Sequence, residues 1–251
     1  MGLTDNGEVY SWGESNKNGE LGRDTSKISS KKPGLVPLPV KAAQTYVSNG
    51  SRRNGGHSAI IDENGQLWMS GCDLWLQLGF NRAETRTGYT WKDGKLSHDR
   101  FVQSTPINQL LKLDDEKANN NFQRFSMEGL RIRDVSLGGN HTLVLASDRR
   151  SVYAFGKGGD GQLGLVRVPV ISAPVRSKLL SDDNNVEERD GKDEIMKERS
   201  QIHAVCAVSS CSATIGENGR IKKYVGKCDS KIVTEGLAKC IAQARHKGLI
   251  D

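Results

Sequence analysis

Long apolar runs are missing from this chain. No stretch approaches the roughly 18 residues that a membrane-spanning helix needs, and the mean hydropathy is −0.55. No basic-then-apolar stretch stands at Met1–Asn6, so no secretory leader is read there. Asn6 also stands where an N-myristoylation signal after Met1-Gly2 needs Ser or Thr. These absences lead to the expectation of an intracellular protein, cytoplasmic or nuclear, with no membrane insertion. Aromatics make up only 6%. Neither a G-x-x-x-x-G-K-[ST] phosphate loop, an H-E-x-x-H zinc helix nor a G-x-S-x-G nucleophile turn occurs. The five histidines (57, 98, 141, 203 and 246) lack metal-ligand spacing. Asp182-Asp183 and Glu187-Glu188 fall in a charged run rather than on facing strands, a poor setting for paired-carboxylate chemistry. The expectation is a protein without metal, cofactor or covalent catalyst.

The five cysteines (72, 206, 211, 228 and 240) are odd in number, and only Cys206 and Cys211 approach zinc-ligand spacing. In a reducing compartment they read as buried thiols acting as small hydrophobes, not as a disulfide framework. The net charge of +6 invites a nucleic-acid reading. Its distribution argues against one. Residues 181–199 sum to −4 and residues 219–251 to +5, with only Lys222-Lys223 adjacent in the latter. That bias fits solvated strand and helix faces better than a phosphate-binding patch, so chromatin or nucleic acid ranks as a weak partner class.

What is abundant is glycine, 28 residues without a three-residue period, and it marks a repeat. Units near 4–22, 55–79, 138–164 and 209–226 each carry an apolar segment, a polar turn, a second β-rich segment and a closing glycine. Three turns hold Asn-Gly, at Asn6-Gly7, Asn64-Gly65 and Asn218-Gly219, and the fourth is Asp148-Arg149-Arg150. Asn-Gly between β-formers predicts hairpins with two positive-φ turn residues. The second strands close on Gly13, Gly71, Gly156 and Gly226. Hairpins at this period read as blades of a β-propeller, none able to bury both faces alone.

These residues resemble the regulator-of-chromosome-condensation repeat: Gly55-Gly56-His57-Ser58, Gly138-Gly139-Asn140-His141-Thr142, Trp12-Gly13, Phe155-Gly156, Gly19-Glu20-Leu21-Gly22 and Gly161-Gln162-Leu163-Gly164. The resemblance implies an all-β, partial propeller. Family members form closed rings of seven blades, and about three and a half units are visible here. Unit one lacks its G-G-x-H-T strand, unit two degrades the last loop to Asp73-Leu74-Trp75-Leu76-Gln77-Leu78-Gly79, and unit four has Cys211 at the histidine position. The repeat glycines (Gly7, Gly13, Gly22, Gly65, Gly71, Gly79, Gly156, Gly164, Gly219 and Gly226) are assigned structural roles. Leu21, Leu78 and Leu163 are expected to pack between blades.

The resemblance also implies function. In the family's best-known member, polar residues at and beside the motif histidine face a small GTPase. Carried over, this selects His57, Asn140 and His141, against the alternative that each imidazole only fixes a turn. Two readings follow: a non-catalytic interaction or regulatory module for a protein partner, such as a ubiquitin-ligase component, or a guanine-nucleotide exchange factor for a small GTPase. The repeat region is set at 1–236 and a C-terminal amphipathic helix at 237–251, on Leu237, Cys240, Ile241 and Ala244, with Gly248 past its end. That helix is expected to cover the edge of the last blade. So short an arc leaves open faces and edges at both ends, and self-association through them is expected. Residues 81–101 read as a loop packing Tyr89, Trp91 and Phe101 on a blade edge, 107–117 as a short helix, and 181–201 as a flexible acidic loop or marginal helix.

Overall fold

The computed structural model describes residues 1–251 except 49–55, 80–88, 93–94, 104–129, 167, 183–200 and 229; for 89–92, 95–103 and 232 it gives the backbone. The expected helix at 107–117 and nearly all of the acidic segment at 181–201 lie outside the described residues.

Four antiparallel sheets follow one another along the chain. The first holds β1 (Gly2–Leu3), β2 (Val9–Ser11) and β3 (Gly34–Leu35). The second has five strands. It starts with β4 (Ala42–Val47), β5 (His57–Asp62) and β6 (Leu67–Cys72). It is extended by β7 (Tyr89–Lys92) and β8 (Lys95–Gln103) in the order β4-β5-β6-β8-β7. The third contains β9 (Ile132–Leu137), β10 (His141–Ala146), β11 (Val152–Lys157) and β12 (Val170–Arg176) in sequence order. The fourth holds β13 (Ala204–Val208), β14 (Cys211–Ile215) and β15 (Ile221–Gly226). A helix, α1 (Lys231–His246), follows the fourth sheet.

Each sheet buries its face against the next. Val9 and Val36 of the first meet Ala42 and Ile60 of the second. On the opposite face of the second, Ala59, Ile61, Leu67 and Met69 meet Val144, Ala146, Tyr153 and Phe155 of the third. The alternate residues of the third, Leu143, Leu145, Val152 and Ala154, meet Val205 and Ala207 of the fourth. A strand buried on both faces has no polar alternation, and β10 runs Leu-Val-Leu-Ala after His141 and Thr142, whose polar groups are hydrogen-bonded. As expected, Leu78 and Leu163 are buried in the seams, and Leu21 is buried as well.

Several expectations are corrected. In the Asn-Gly turns only the glycine takes positive φ (Gly7, Gly65 and Gly219, at 80°, 75° and 72°), not both residues. Gly65 N–H donates to Asp62 O at 2.9 Å while Asp62 N–H donates to Gln66 O at 3.0 Å. That is a three-residue loop ending in a left-handed glycine, whose Cβ, if present, would lie 2.9 Å from that of Arg131. Residues 89–92 and 95–103 pair as antiparallel strands rather than forming a loop. The helix starts at Lys231, six residues before its expected boundary, because Ser230 caps it by accepting from Val233 N–H.

The helix also covers a face of the fourth sheet rather than an edge. Ala244, Leu249 and Ile250 pack on Ala204, Cys206, Ala213 and Ile215, with Leu237, Cys240 and Ile241 around them. The cover is partial: Ile221 and Tyr224 of β15 are 42% and 68% exposed, while on the first sheet Trp12 and Leu35 are 44% and 50% exposed. The cysteines were misjudged as well: Cys206 is bonded to Cys240 across that contact, and Cys211 to Cys228 within the last unit. Spacing gave no hint of either, since 34 and 17 residues separate the partners. Cys72 is in no disulfide and is buried.

Candidate functional site

The G-G-x-H-T segments enter the middle strands of sheets two and three, and there the structure places two of the three selected residues inside. His57 and His141 are 1% and 0% exposed. His57 Nε2 lies 3.0 Å from Thr142 Oγ1 of the next sheet. Thr142 spends its own proton on Gln77 O at 2.8 Å, so His57 Nε2 is the donor and Nδ1 is unprotonated. His141 Nε2 repeats the contact one sheet on, 2.8 Å from Ser212 Oγ. Gly138 makes room for it, since a Cβ there would lie 2.4 Å from the His141 ring. Burial pushes both imidazoles down, His57 to about 3 with help from His141, and His141 to about 4. Neutral rings in this setting latch one sheet to the next. Asn140, the third selected residue, is half-buried at the end of the strand.

At the histidine position of the fourth sheet stands Cys211, bonded to Cys228, which follows β15. The residue that elsewhere reaches forward to a further sheet here turns back into its own unit.

The closing loops sit at the same end of the arc. In each, a Glu or Gln side chain accepts the backbone N–H two residues before it: Asn18 N–H to Glu20 at 3.0 Å, Trp75 N–H to Gln77 at 2.8 Å, and Asp160 N–H to Gln162 at 3.0 Å. This role was missed from the sequence, although the recurrence of Glu or Gln before the Leu-Gly pair was its signal. Each loop then engages the following sheet. Ser58 and Ser70 hydroxyls donate to Glu20 O and Gly19 O. Gly79, at φ 74°, lies flat against Phe155, where a Cβ would be 2.7 Å from the ring. Gly226 sits as closely on Gln162.

What this end offers to solvent is mixed. Leu74 and Trp75 are 39% and 36% exposed, and Lys157 Nζ lies 5.5 Å from the Trp75 ring centroid. Beside them Asp160 pairs with Lys227 at 2.6 Å and Lys157 at 2.9 Å, and Ser210 donates to it at 3.1 Å. The two ammonium groups hold its carboxyl well below the usual carboxylate range. A second polar cluster, also unforeseen, lies between the first strands of three sheets. Tyr46 OH donates to Asp134 Oδ1 and Val205 N–H to Oδ2, both at 3.0 Å. Lys247 Nζ, just past α1, stands 3.7 Å from that carboxylate and 3.6 Å from the Tyr46 ring centroid. Burial raises Asp134 and lowers Lys247. The cluster clamps the C-terminal segment to the sheets. Among the described residues, no group of three or more His, Cys, Asp or Glu is placed to hold a metal ion.

Residues 6–52 and 132–162 match the sequence profile of the regulator of chromosome condensation (RCC1) repeat. The second stretch coincides with β9 to β11 and their closing loop; the first runs from one sheet into the next. The chain is 32% identical over 170 residues to Protein RCC2 homolog of Danio rerio, a match covering 65% of this chain and 30% of that protein. It is 28% identical over 236 residues to RCC1 domain-containing protein RUG3, mitochondrial, of Arabidopsis thaliana, covering 94% and 42%. Among solved structures, Prp20p from Saccharomyces cerevisiae superposes with a TM-score of 0.54 at 17% identity, over 97% of this chain and 44% of that one. Human WBSCR16 gives 0.51 at 18%, over 85% and 42%. The likeness to the solved structures carries the fold alone, and the chain spans less than half the length of each of these proteins.

Proposed function

Since the chain belongs to the regulator of chromosome condensation repeat family, we propose that it is a non-catalytic protein-interaction module whose recognition surface is the loop end of the arc. One observation carries this reading: Leu74 and Trp75 are exposed on a loop whose backbone is pinned by Gln77, with paired charges around Asp160 beside them. A pre-ordered tryptophan at the centre of a mixed polar rim is the composition of a binding hot spot. Solved relatives support a protein ligand. Prp20p is described by its binding to Gsp1p and histones, and a crystal structure holds yeast RCC1 (Prp20) with Kap60. Asn140 adds a polar group at this end; His57 and His141 act from inside by fixing the seams. The partner class is a small GTPase or a ubiquitin-ligase component, in the cytoplasm or nucleus. No described helix is long and apolar enough to cross a membrane.

Nucleotide exchange is the second reading. It requires an element that binds the nucleotide-free GTPase far more tightly than the loaded one, and the described loops are short turns held against the sheets. The test is binding to a panel of small GTPases, with labelled-GDP release followed in parallel. Binding that weakens at least about tenfold in Trp75→Ala, with release unaccelerated, supports the module. Accelerated release that is lost in Trp75→Ala establishes the exchange factor instead.

A further inference from the structure

In the second, third and fourth sheets the residue after the closing glycine bonds back to the residue before the motif histidine or its replacement. Cys72 N–H donates to Gly56 O, Lys157 N–H to Asn140 O and Lys227 N–H to Ser210 O, all at 2.9 Å. In the second and third sheets two further devices hold that end of the hairpin: the histidine latch, and the closing loop laid on the following sheet. The fourth unit has neither. Cys211 stands in the histidine's place, and after Gly226 the chain runs through Lys227 and Cys228 to the cap of α1 at Ser230. What fastens this hairpin end is the Cys211–Cys228 bond.

The residues beside these two cysteines reach into the recognition surface. Ser210, before Cys211, donates to Asp160 Oδ2 at 3.1 Å. Lys227, before Cys228, pairs with Asp160 Oδ1 at 2.6 Å. Asp160 Oδ2 also holds Lys157, whose ammonium stands 5.5 Å from the Trp75 ring centroid. Ser210 and Lys227, two of the three groups on this carboxylate, are thus each one residue from a bonded cysteine. A run of contacts joins the disulfide to the tryptophan.

We propose that the Cys211–Cys228 bond is a redox switch for this surface. Oxidised, it holds Ser210 and Lys227 on Asp160 and keeps the surface in its binding form; reduced, it lets them part and weakens partner binding. The proposal rests on the reading of the loop end as the recognition site. In the cytoplasm or nucleus proposed above, thiols are kept reduced, and a disulfide there is a transient, sensing bond. Of the two disulfides, this one adjoins the Asp160 cluster. Cys206–Cys240 lies within a contact that Ala244, Leu249 and Ile250 also hold, so its loss leaves α1 docked. Cys228 is half-buried in the segment between β15 and α1, within reach of a reductant.

The reductant is a dithiol. Its thiolate attacks Cys228 Sγ, the Sγ–Sγ bond breaks, and Cys211 leaves as a thiolate that takes up a proton. The second thiol then displaces Cys228 and closes the dithiol to a disulfide. Two electrons and two protons pass to the chain.

The experiment is residue-resolved amide exchange of the 251-residue chain, equilibrated in oxidised or in reduced dithiothreitol. The Lys227 N–H is expected to exchange at least about tenfold faster in the reduced chain. The Lys157 N–H, its counterpart in the third sheet, is expected to be unchanged, which also reports that the sheets stay folded. Cys211→Ser/Cys228→Ser is expected to exchange fast at Lys227 in both conditions, and Cys206→Ser/Cys240→Ser to keep the parent's redox dependence. Binding to the small GTPases of the panel above is expected to fall at least about fivefold on reduction and to return on reoxidation. Lys227 exchange indifferent to redox state, a redox dependence that persists in Cys211→Ser/Cys228→Ser, or equal binding in the two states would each overturn the switch. A panel without a binder overturns the reading of the surface instead, and the Lys227 exchange then decides the switch.

Discussion

Trp12 and Phe155 occupy the same position of the repeat, directly before the closing glycine, yet one is 44% exposed and the other 0%. Phe155 lies under Gly79 and among Ala59, Leu78 and Val144; Trp12 has Gly2 of its own sheet against its ring edge. A repeat residue thus encodes a contact with a neighbour, and its energetic weight depends on whether the neighbour is there. The C-terminal end teaches the complement. There the repeat departs from its pattern, with cysteine for histidine and a helix for the closing loop, and the helix buries Ala213 and Ile215 on the outer face of the last sheet.

The largest test of this contrast is a pair of truncations. Phe155→Ala removes a ring from the seam between sheets two and three and is expected to cost about 3–5 kcal/mol. Trp12→Ala is expected to cost under about 1 kcal/mol, as for a surface substitution. Urea titration of both at equal protein concentration reads the difference. Equal losses would mean that Trp12 is buried in solution by something at the open end.

Acid sharpens the same comparison, because the latches lie only where a following sheet exists. His57 and His141 are neutral in the folded chain, with values near 3 and 4. The unfolded chain protonates each below about pH 6.5. Their contribution is therefore full above pH 6.5 and is lost as pH falls toward those values, by about 2 kcal/mol per histidine at pH 5. Stability followed from pH 7 to 5 should drop steeply in the parent, and the drop should shrink in His141→Gln, which is less stable at pH 7 but has one group fewer to protonate. A pH dependence unchanged in that variant would mean that His141 is accessible to protons in the native state.

How much of this was legible in the sequence varies with the kind of contact. Hairpins were, since their signal is local: a polar turn with glycine between β-formers. The turn type was not, because Asn-Gly permits two positive-φ residues but Asp62 Oδ1, accepting from the N–H of both Asn64 and Gln66, selects a loop with one. The helix was recognised only from Leu237 onward. Its first turn reads Lys-Ile-Val-Thr-Glu-Gly, β-branched and glycine-bearing, poor in helix propensity. Gly236 is there because α1 passes so near β13 that a Cβ would be 2.3 Å from Val208 Cγ1. At the candidate site the motif histidines stood out by recurrence, but whether an imidazole points to solvent or to the next sheet depends on residues 71 and 85 positions away. The disulfides were hidden for the same reason: the bond from Cys206 to Cys240 exists because a helix, not a further blade, lies on the last sheet.

The smallest expected effect concerns the degraded second loop. Leu76 has φ 62°, where the intact loops have Gly19 at 78° and Gly161 at 83°. All three residues do the same work: the backbone N–H donates three residues back, to Asp73 O from Leu76, to Asn16 O from Gly19 and to Gly158 O from Gly161. A left-handed conformation costs an L-residue with a branched side chain about 1–2 kcal/mol, while glycine costs about 0.5–1 kcal/mol more chain entropy on folding. Leu76 is only half-buried, so little apolar burial is lost with it. Leu76→Gly is accordingly expected to raise stability by up to about 1 kcal/mol, whereas Gly161→Leu should lower it by about 1–2 kcal/mol, both read from urea midpoints at constant slope. The intact and degraded loops are then one structure carrying different strain. A loss of stability in Leu76→Gly would instead show that the leucine side chain contributes packing that the other two loops do without, and that the second loop has diverged in contacts as well as in sequence.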